Sequence, residues 1–80
     1  MLIISEGISL FLPAYNEEEN VESMVTRASE ALGKLVDGNW EIIVVDDGST
    51  DSTAAITRSL SEKDPRVRLV SHRGNRGFGR

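Results

Sequence analysis

The polar and apolar positions alternate in character along the chain in five blocks. Ile8-Ser9-Leu10-Phe11-Leu12 is rich in β-formers and predicts a first strand, which Pro13 is expected to stop because proline cannot donate to a central ladder. Val21, Met24, Val25, Ala28, Leu32 and Leu35 then recur at helical spacing. Asn16 is the expected N-cap of that helix, with Glu17, Glu18 and Glu19 in the first turn at the positive end of its dipole. Asp37-Gly38 is expected to close it, Gly38 taking the left-handed conformation. Trp40 to Val45 predicts a second strand, and Ile42-Ile43-Val44-Val45 lacks any polar alternation, the mark of a strand buried on both faces. After Asp46-Asp47-Gly48, one of Ser49, Thr50 or Asp51 is expected to cap a shorter helix whose apolar face is Ala54, Ala55, Ile56 and Leu60. Asp64-Pro65 ends it, Val67 to Val70 predicts a third strand, and Gly74 to Gly79 reads as a glycine-rich loop.

The order is β-α-β-α-β, a three-stranded parallel half of a doubly wound, Rossmann-like α/β domain. Crossovers between parallel strands are right-handed, so strands in the order 3-2-1 carry both helices on one sheet face. The second strand is apolar on both sides, yet nothing in the 80 residues is left to cover the other. The chain is therefore expected to be a single partial domain over residues 1–80, apparently truncated, the N-terminal segment of something larger. The rest of that protein, or a second chain, is expected on the bare face.

Composition narrows the function. The net charge is −4, which argues against wholesale nucleic-acid binding. Cysteine is absent, so neither a disulfide framework nor a thiolate metal site is available. No apolar run approaches the roughly 18 residues of a membrane span, and the apolar start lacks the flank of a secretory signal. A soluble, cytoplasmic chain is expected. Residues 1–65 hold all 13 acidic residues, whereas 66–80 hold Arg66, Arg68, His72, Arg73, Arg76 and Arg80 with no acid.

Ligands of open parallel sheets bind beyond the carboxyl ends of the strands. Those ends carry Pro13-Ala14-Tyr15-Asn16-Glu17, Asp46-Asp47-Gly48-Ser49 and His72-Arg73-Gly74-Asn75. Each is explicable singly as a strand stop, a cap or a turn; three on one edge suggest a site. There is no P-loop signature, and Gly74, Gly77 and Gly79 run in the reverse order of the dinucleotide fingerprint. The Asp-rich loop lacks the order of a calcium hand. A phosphatase D-x-D-G-T would need its nucleophile where Val45 stands. His72, the lone histidine, has no partner for a transition-metal site.

Pro13-Ala14-Tyr15-Asn16-Glu17-Glu18 after the first strand, and Val45-Asp46-Asp47-Gly48-Ser49-Thr50-Asp51 after the second, closely resemble the start of family-2 inverting glycosyltransferases. Within these the chain looks most like the polyprenyl (dolichyl) phosphate mannosyl- or glucosyltransferases. Asn75-Arg76-Gly77-Phe78-Gly79 looks like the loop that opens the third helix there. The resemblance implies a GT-A fold and a segment that binds the nucleotide of a UDP- or GDP-sugar for inverting transfer to an acceptor such as a polyprenyl phosphate.

Carried over residue by residue, it places Pro13 and Ala14 against the base, Tyr15 on the nucleoside and Glu17 on the ribose hydroxyls. Val45 lines the base pocket and Asp47 accepts from a base N–H, as an acceptor-only carboxylate does. Asp46 is expected to order its loop by accepting from backbone N–H groups, and Asp51 to cap a helix. Arg73, Arg76 and Arg80 are expected to assist at a phosphate. The resemblance also implies Mg2+ or Mn2+ held by an Asp-x-Asp element beyond these residues, so the 80-residue chain alone is expected to be inactive. With a lipid phosphate as acceptor, the site of the intact protein faces the cytoplasm, at the membrane. Two alternatives remain open. One is a non-catalytic nucleotide-binding or regulatory module, which would lack downstream metal ligands. The other is a structural half-domain, which would associate without responding to nucleotide.

Overall fold

The apolar run at Ile42–Val45 lies at the centre of a three-stranded parallel sheet. In the computed structural model, which describes residues 7–36 and 38–71, β1 (Ile8–Ala14), β2 (Trp40–Asp46) and β3 (Val67–Ser71) stand in the order β1-β2-β3. The register pairs Leu10, Leu12 and Ala14 with Ile42, Val44 and Asp46, and pairs Ile42 and Val44 with Val67 and Leu69. Helices α1 (Val21–Leu35) and α2 (Thr53–Lys63) lie on the same face, as right-handed crossovers in this strand order require. Their apolar sides close one core with Val21, Val25, Leu32, Val36, Ile42, Val44 and Val67.

The pleat sorts the sheet residues. Leu10, Leu12, Ile42, Val44 and Val67 face the helices, while Ser9, Phe11, Pro13, Ile43, Val45, Arg68 and Val70 take the opposite side. No described element covers that second side, and Phe11 is 59% exposed there. Its polar corner is closed locally: Ser9 Oγ donates to Glu41 at 2.6 Å, and Arg68 Nη1 reaches the same carboxylate at 3.2 Å.

Several sequence expectations change in detail. Pro13 does not stop β1, which continues to Ala14. Among the described residues β1 is an edge strand, where a missing N–H is tolerated. Asn16 does not cap α1. The helix begins at Val21, after a turn in which the Asn20 and Val21 amides both donate to the Glu17 carbonyl. Leu35 is 69% exposed and Val36 fills the core instead, because the chain leaves helical geometry at Val36. In α2, Ala55 is exposed, and the fully buried side chains are Thr53 and Thr57. The Thr57 hydroxyl is satisfied by the Thr53 carbonyl one turn back, at 2.9 Å. Gly38 takes the left-handed conformation expected of it, at φ +79°, but two residues beyond the Val36 cap where α1 already ends.

Candidate functional site

The carboxyl ends of β1 and β2 release two loops, residues 15–20 and 47–52, that run side by side and are stitched together. Three consecutive amides of the first loop donate to two side chains of the second and to the first residue of α2. Asn16 N–H reaches Ser49 Oγ at 2.8 Å, Glu17 N–H reaches Thr53 Oγ1 at 2.7 Å, and Glu18 N–H reaches Asp51 Oδ2 at 3.2 Å. Two side chains return the exchange. Asn16 Oδ1 accepts from the Thr50 amide at 2.9 Å, and Glu18 Oε1 accepts from the Ser52 amide at 2.9 Å.

Both hydroxyls in this network relay to a carboxylate. Ser49 Oγ donates to Asp46 Oδ1, and Thr53 Oγ1 donates to Asp51 Oδ1. Asp46, only 4% exposed, thus anchors the loop through a hydroxyl rather than through the backbone amides expected of it. Asp51 also accepts from the Thr53 amide at 2.9 Å, so it fastens the start of α2 from the position before the N-cap, Ser52, rather than as the cap expected of it. Asn16 sits at φ +52°, a left-handed conformation that asparagine tolerates better than most residues.

The network divides the acidic residues into two groups. Asp46, Asp51 and Glu18 are engaged in holding the loops. Among the described residues, the carboxylates of Glu17, Glu19 and Asp47 and the hydroxyl of Tyr15 take no hydrogen bond. Asp47 is exposed, Glu17 is half-buried, and Tyr15 is 56% exposed. The Asp47 amide donates to the Ala14 carbonyl at 3.0 Å, which fixes the origin of its side chain against the end of β1. Pro13 and Val45 are register partners on the open face, one exposed and one half-buried. The side chain of Ala14 is buried with the core, so Ala14 meets this edge through its backbone. Arg73, Arg76, Arg80 and His72 lie outside the described residues.

Sequence reasoning missed the work of Ser49, Thr50, Ser52 and Thr53. The signal was present as a hydroxyl-rich run after Asp47-Gly48, but it reads locally as helix caps. A shallow depression of about 440 Å3, lined by Gly7, Ile8, Ser9, Asn39, Trp40 and Glu41, lies at the opposite, amino end of the strands, away from this edge. Among the described residues no group of three or more Asp, Glu, His or Cys side chains stands together as a cation site. Asp46 and Asp47 do not make one, since Asp46 is buried on the helix side and tied to Ser49.

Burial pushes the Asp51 carboxyl up, but the hydrogen bonds from the Thr53 hydroxyl and amide and from the Glu18 amide outweigh it. They hold its pKa below the ordinary 3.8. A carboxyl lowered on folding stabilises the fold at every pH above 3.8, and this contribution is lost as pH falls through the lowered value. Thermal denaturation across a pH series is therefore expected to find Asp51→Asn less stable than the parent at neutral pH. The gap should narrow steadily once pH drops below 3.8. A gap that stays constant down to acid pH would refute the charge-dependent role.

Residues 9–80 match the profile of glycosyl transferase family 2. Over 78 residues (90% of the chain) the sequence is 41% identical to a dolichyl-phosphate beta-glucosyltransferase of Dictyostelium discoideum, of which it covers 24%. A dolichol-phosphate mannosyltransferase of Pyrococcus furiosus is 40% identical over 71 residues, 89% of this chain and 19% of that protein. An undecaprenyl-phosphate 4-deoxy-4-formamido-L-arabinose transferase of Pectobacterium atrosepticum is 35% identical over 74 residues, 92% of this chain and 22% of that protein. The chain thus spans no more than about a quarter of the length of these relatives. Among the described residues no helix is long and apolar enough to cross a membrane.

Proposed function

Because the chain belongs to glycosyltransferase family 2, we propose that it binds the nucleoside of a UDP- or GDP-sugar, and that the intact protein transfers that sugar with inversion to a polyprenyl phosphate. One observation carries the reading. At an edge where Asp46, Asp51 and Glu18 hold the loops together, Glu17 and Asp47, the unpartnered carboxylates nearest the ends of β1 and β2, are left free among the described residues beside an exposed Tyr15, with Glu19 unpartnered further along the first loop. A nucleoside supplies the complementary groups. Its base N–H suits the Asp47 carboxylate, its ribose hydroxyls suit Glu17, and its flat base has Tyr15, Pro13 and Val45 to lie against. Arg73, Arg76 and Arg80 are assigned to the phosphates by their charge.

In the transfer, an acceptor phosphate oxygen forms a bond to the anomeric carbon while the bond to the nucleoside diphosphate breaks. A phosphate acceptor is already a nucleophile, so this step asks no base of the present residues. The relatives named for dolichyl, dolichol and undecaprenyl phosphate support a lipid phosphate as that acceptor. It would place the intact enzyme at the cytoplasmic face of a membrane. The Mg2+ or Mn2+ implied by the family resemblance is assigned to ligands beyond this segment.

Amide-resolved NMR titration with UDP and GDP tests the pocket. Shifts gathered at Tyr15, Glu17 and Asp47 are expected, and the nucleotide that acts at lower concentration identifies the base. A dispersed spectrum that neither nucleotide perturbs would overturn the reading and favour a structural half-domain.

A further inference from the structure

Asn16 joins two requirements that no other residue at the sheet edge, among the described residues, meets together. Its backbone is left-handed at φ +52°, which directs the amides of residues 16, 17 and 18 in succession toward Ser49, Thr53 and Asp51. Its side-chain oxygen accepts the Thr50 amide, with the Thr50 hydroxyl a further 3.4 Å contact. Glycine would supply the first and not the second. Alanine would supply neither without strain.

Resting on the donor-pocket reading above, we propose that Asn16 is a positioning residue of the nucleoside site, which sets the distance between Glu17 and Asp47 by latching their two loops without itself touching the ligand. Glu17 lies next to Asn16 in one loop, and its amide is pinned to Thr53. Asp47 starts the other loop, held through the Ala14 carbonyl, and the relay from Asp46 through Ser49 to the Asn16 amide joins the two origins. The ligand groups proposed for these carboxylates sit on the base and on the ribose of one bound nucleoside. Their separation is therefore part of the recognition, and a loosened latch lets each carboxylate drift from its partner.

Asn16→Gly in the intact protein tests this, because it keeps the left-handed turn and removes only the acceptor. Calorimetric titration with UDP and GDP, well below the melting temperature, is expected to show about tenfold weaker binding of the preferred nucleotide. Preference between the two bases should also shrink. Asn16→Asp, which restores the acceptor, is expected to recover affinity to within about threefold of the parent. Glu18→Ala, an exposed substitution that removes the Ser52 acceptor, should weaken binding in the same direction by about threefold. A purely structural role would lower the melting temperature of Asn16→Gly and leave the affinity and base preference of the folded protein intact; that result overturns the latch. An Asn16→Asp protein as impaired as Asn16→Gly overturns it as well. If the unsubstituted protein binds neither nucleotide, the donor pocket falls and the latch with it. If it binds and both Asn16→Gly and Glu18→Ala bind equally well, only the latch falls.

Discussion

Asp47→Ala is expected to weaken binding of the preferred nucleoside diphosphate by about 10- to 100-fold while leaving the melting temperature almost unchanged. The magnitude follows from losing a hydrogen bond to a charged acceptor, about 1.5–3 kcal/mol, in a partly desolvated site. The lack of a stability effect follows from the structure, since Asp47 is exposed and its carboxylate holds no described part of the fold. Its neighbour should behave in the opposite way. Asp46 is buried and receives the Ser49 hydroxyl, which in turn receives the Asn16 amide. Asp46→Ala leaves that relay without its end and is expected to cost about 1–3 kcal/mol of stability. Calorimetric titration paired with thermal denaturation separates the two. An Asp47→Ala protein that binds like its parent would remove Asp47 from the site, whatever its stability.

The second large effect belongs to the core. Ile42 is fully buried, flanked in register by Leu10 and Val67 under both helices. Ile42→Ala is expected to cost about 3–4 kcal/mol from lost transfer energy and the cavity left behind. A domain of this size commands about 4–12 kcal/mol in total, so much of the fold's margin would go. Val70→Thr, on the open face of β3, should change stability by no more than about 0.5 kcal/mol. Urea denaturation of both variants checks the contrast. Equal losses would mean that the open face is packed as tightly as the helix side.

Much of this architecture was legible in the residues. The unalternating Ile42–Val45 run announced a central parallel strand, and the five-element order with right-handed crossovers placed both helices on one side. Gly38 announced a left-handed turn before β2, although α1 itself ends at Leu35. What stayed hidden was decided by partners far away in sequence. Asn16 has the chemistry of an N-cap, and only hydrogen bonds to residues 33 and 34 positions on turn it into a loop tie. Thr53 and Thr57 looked like the polar side of a short helix. Burial suits them because each hydroxyl finds an acceptor within the same helix start. Tyr15, Glu17 and Asp47 were visible as candidates by position at the strand ends. The feature that sets them apart, side chains left over after the loops are tied, exists only in three dimensions.

The contrast between Asp46 and Asp47 has a consequence for how β2 can change over evolutionary time. Two identical residues carry opposite duties, Asp46 on the helix side of the last strand position and tied to Ser49, Asp47 in the loop just beyond it with its amide on the Ala14 carbonyl. A strand reads parity, so one inserted or deleted residue between Trp40 and Asp46 would turn Asp46 to the open face and present the buried acid to solvent. Changes of length in the connection before Trp40 carry no such penalty. In this part of the chain the count of residues is therefore as much a part of the inheritance as their identity, and drift should enter β2 by substitution and almost never by a shift of frame within the strand.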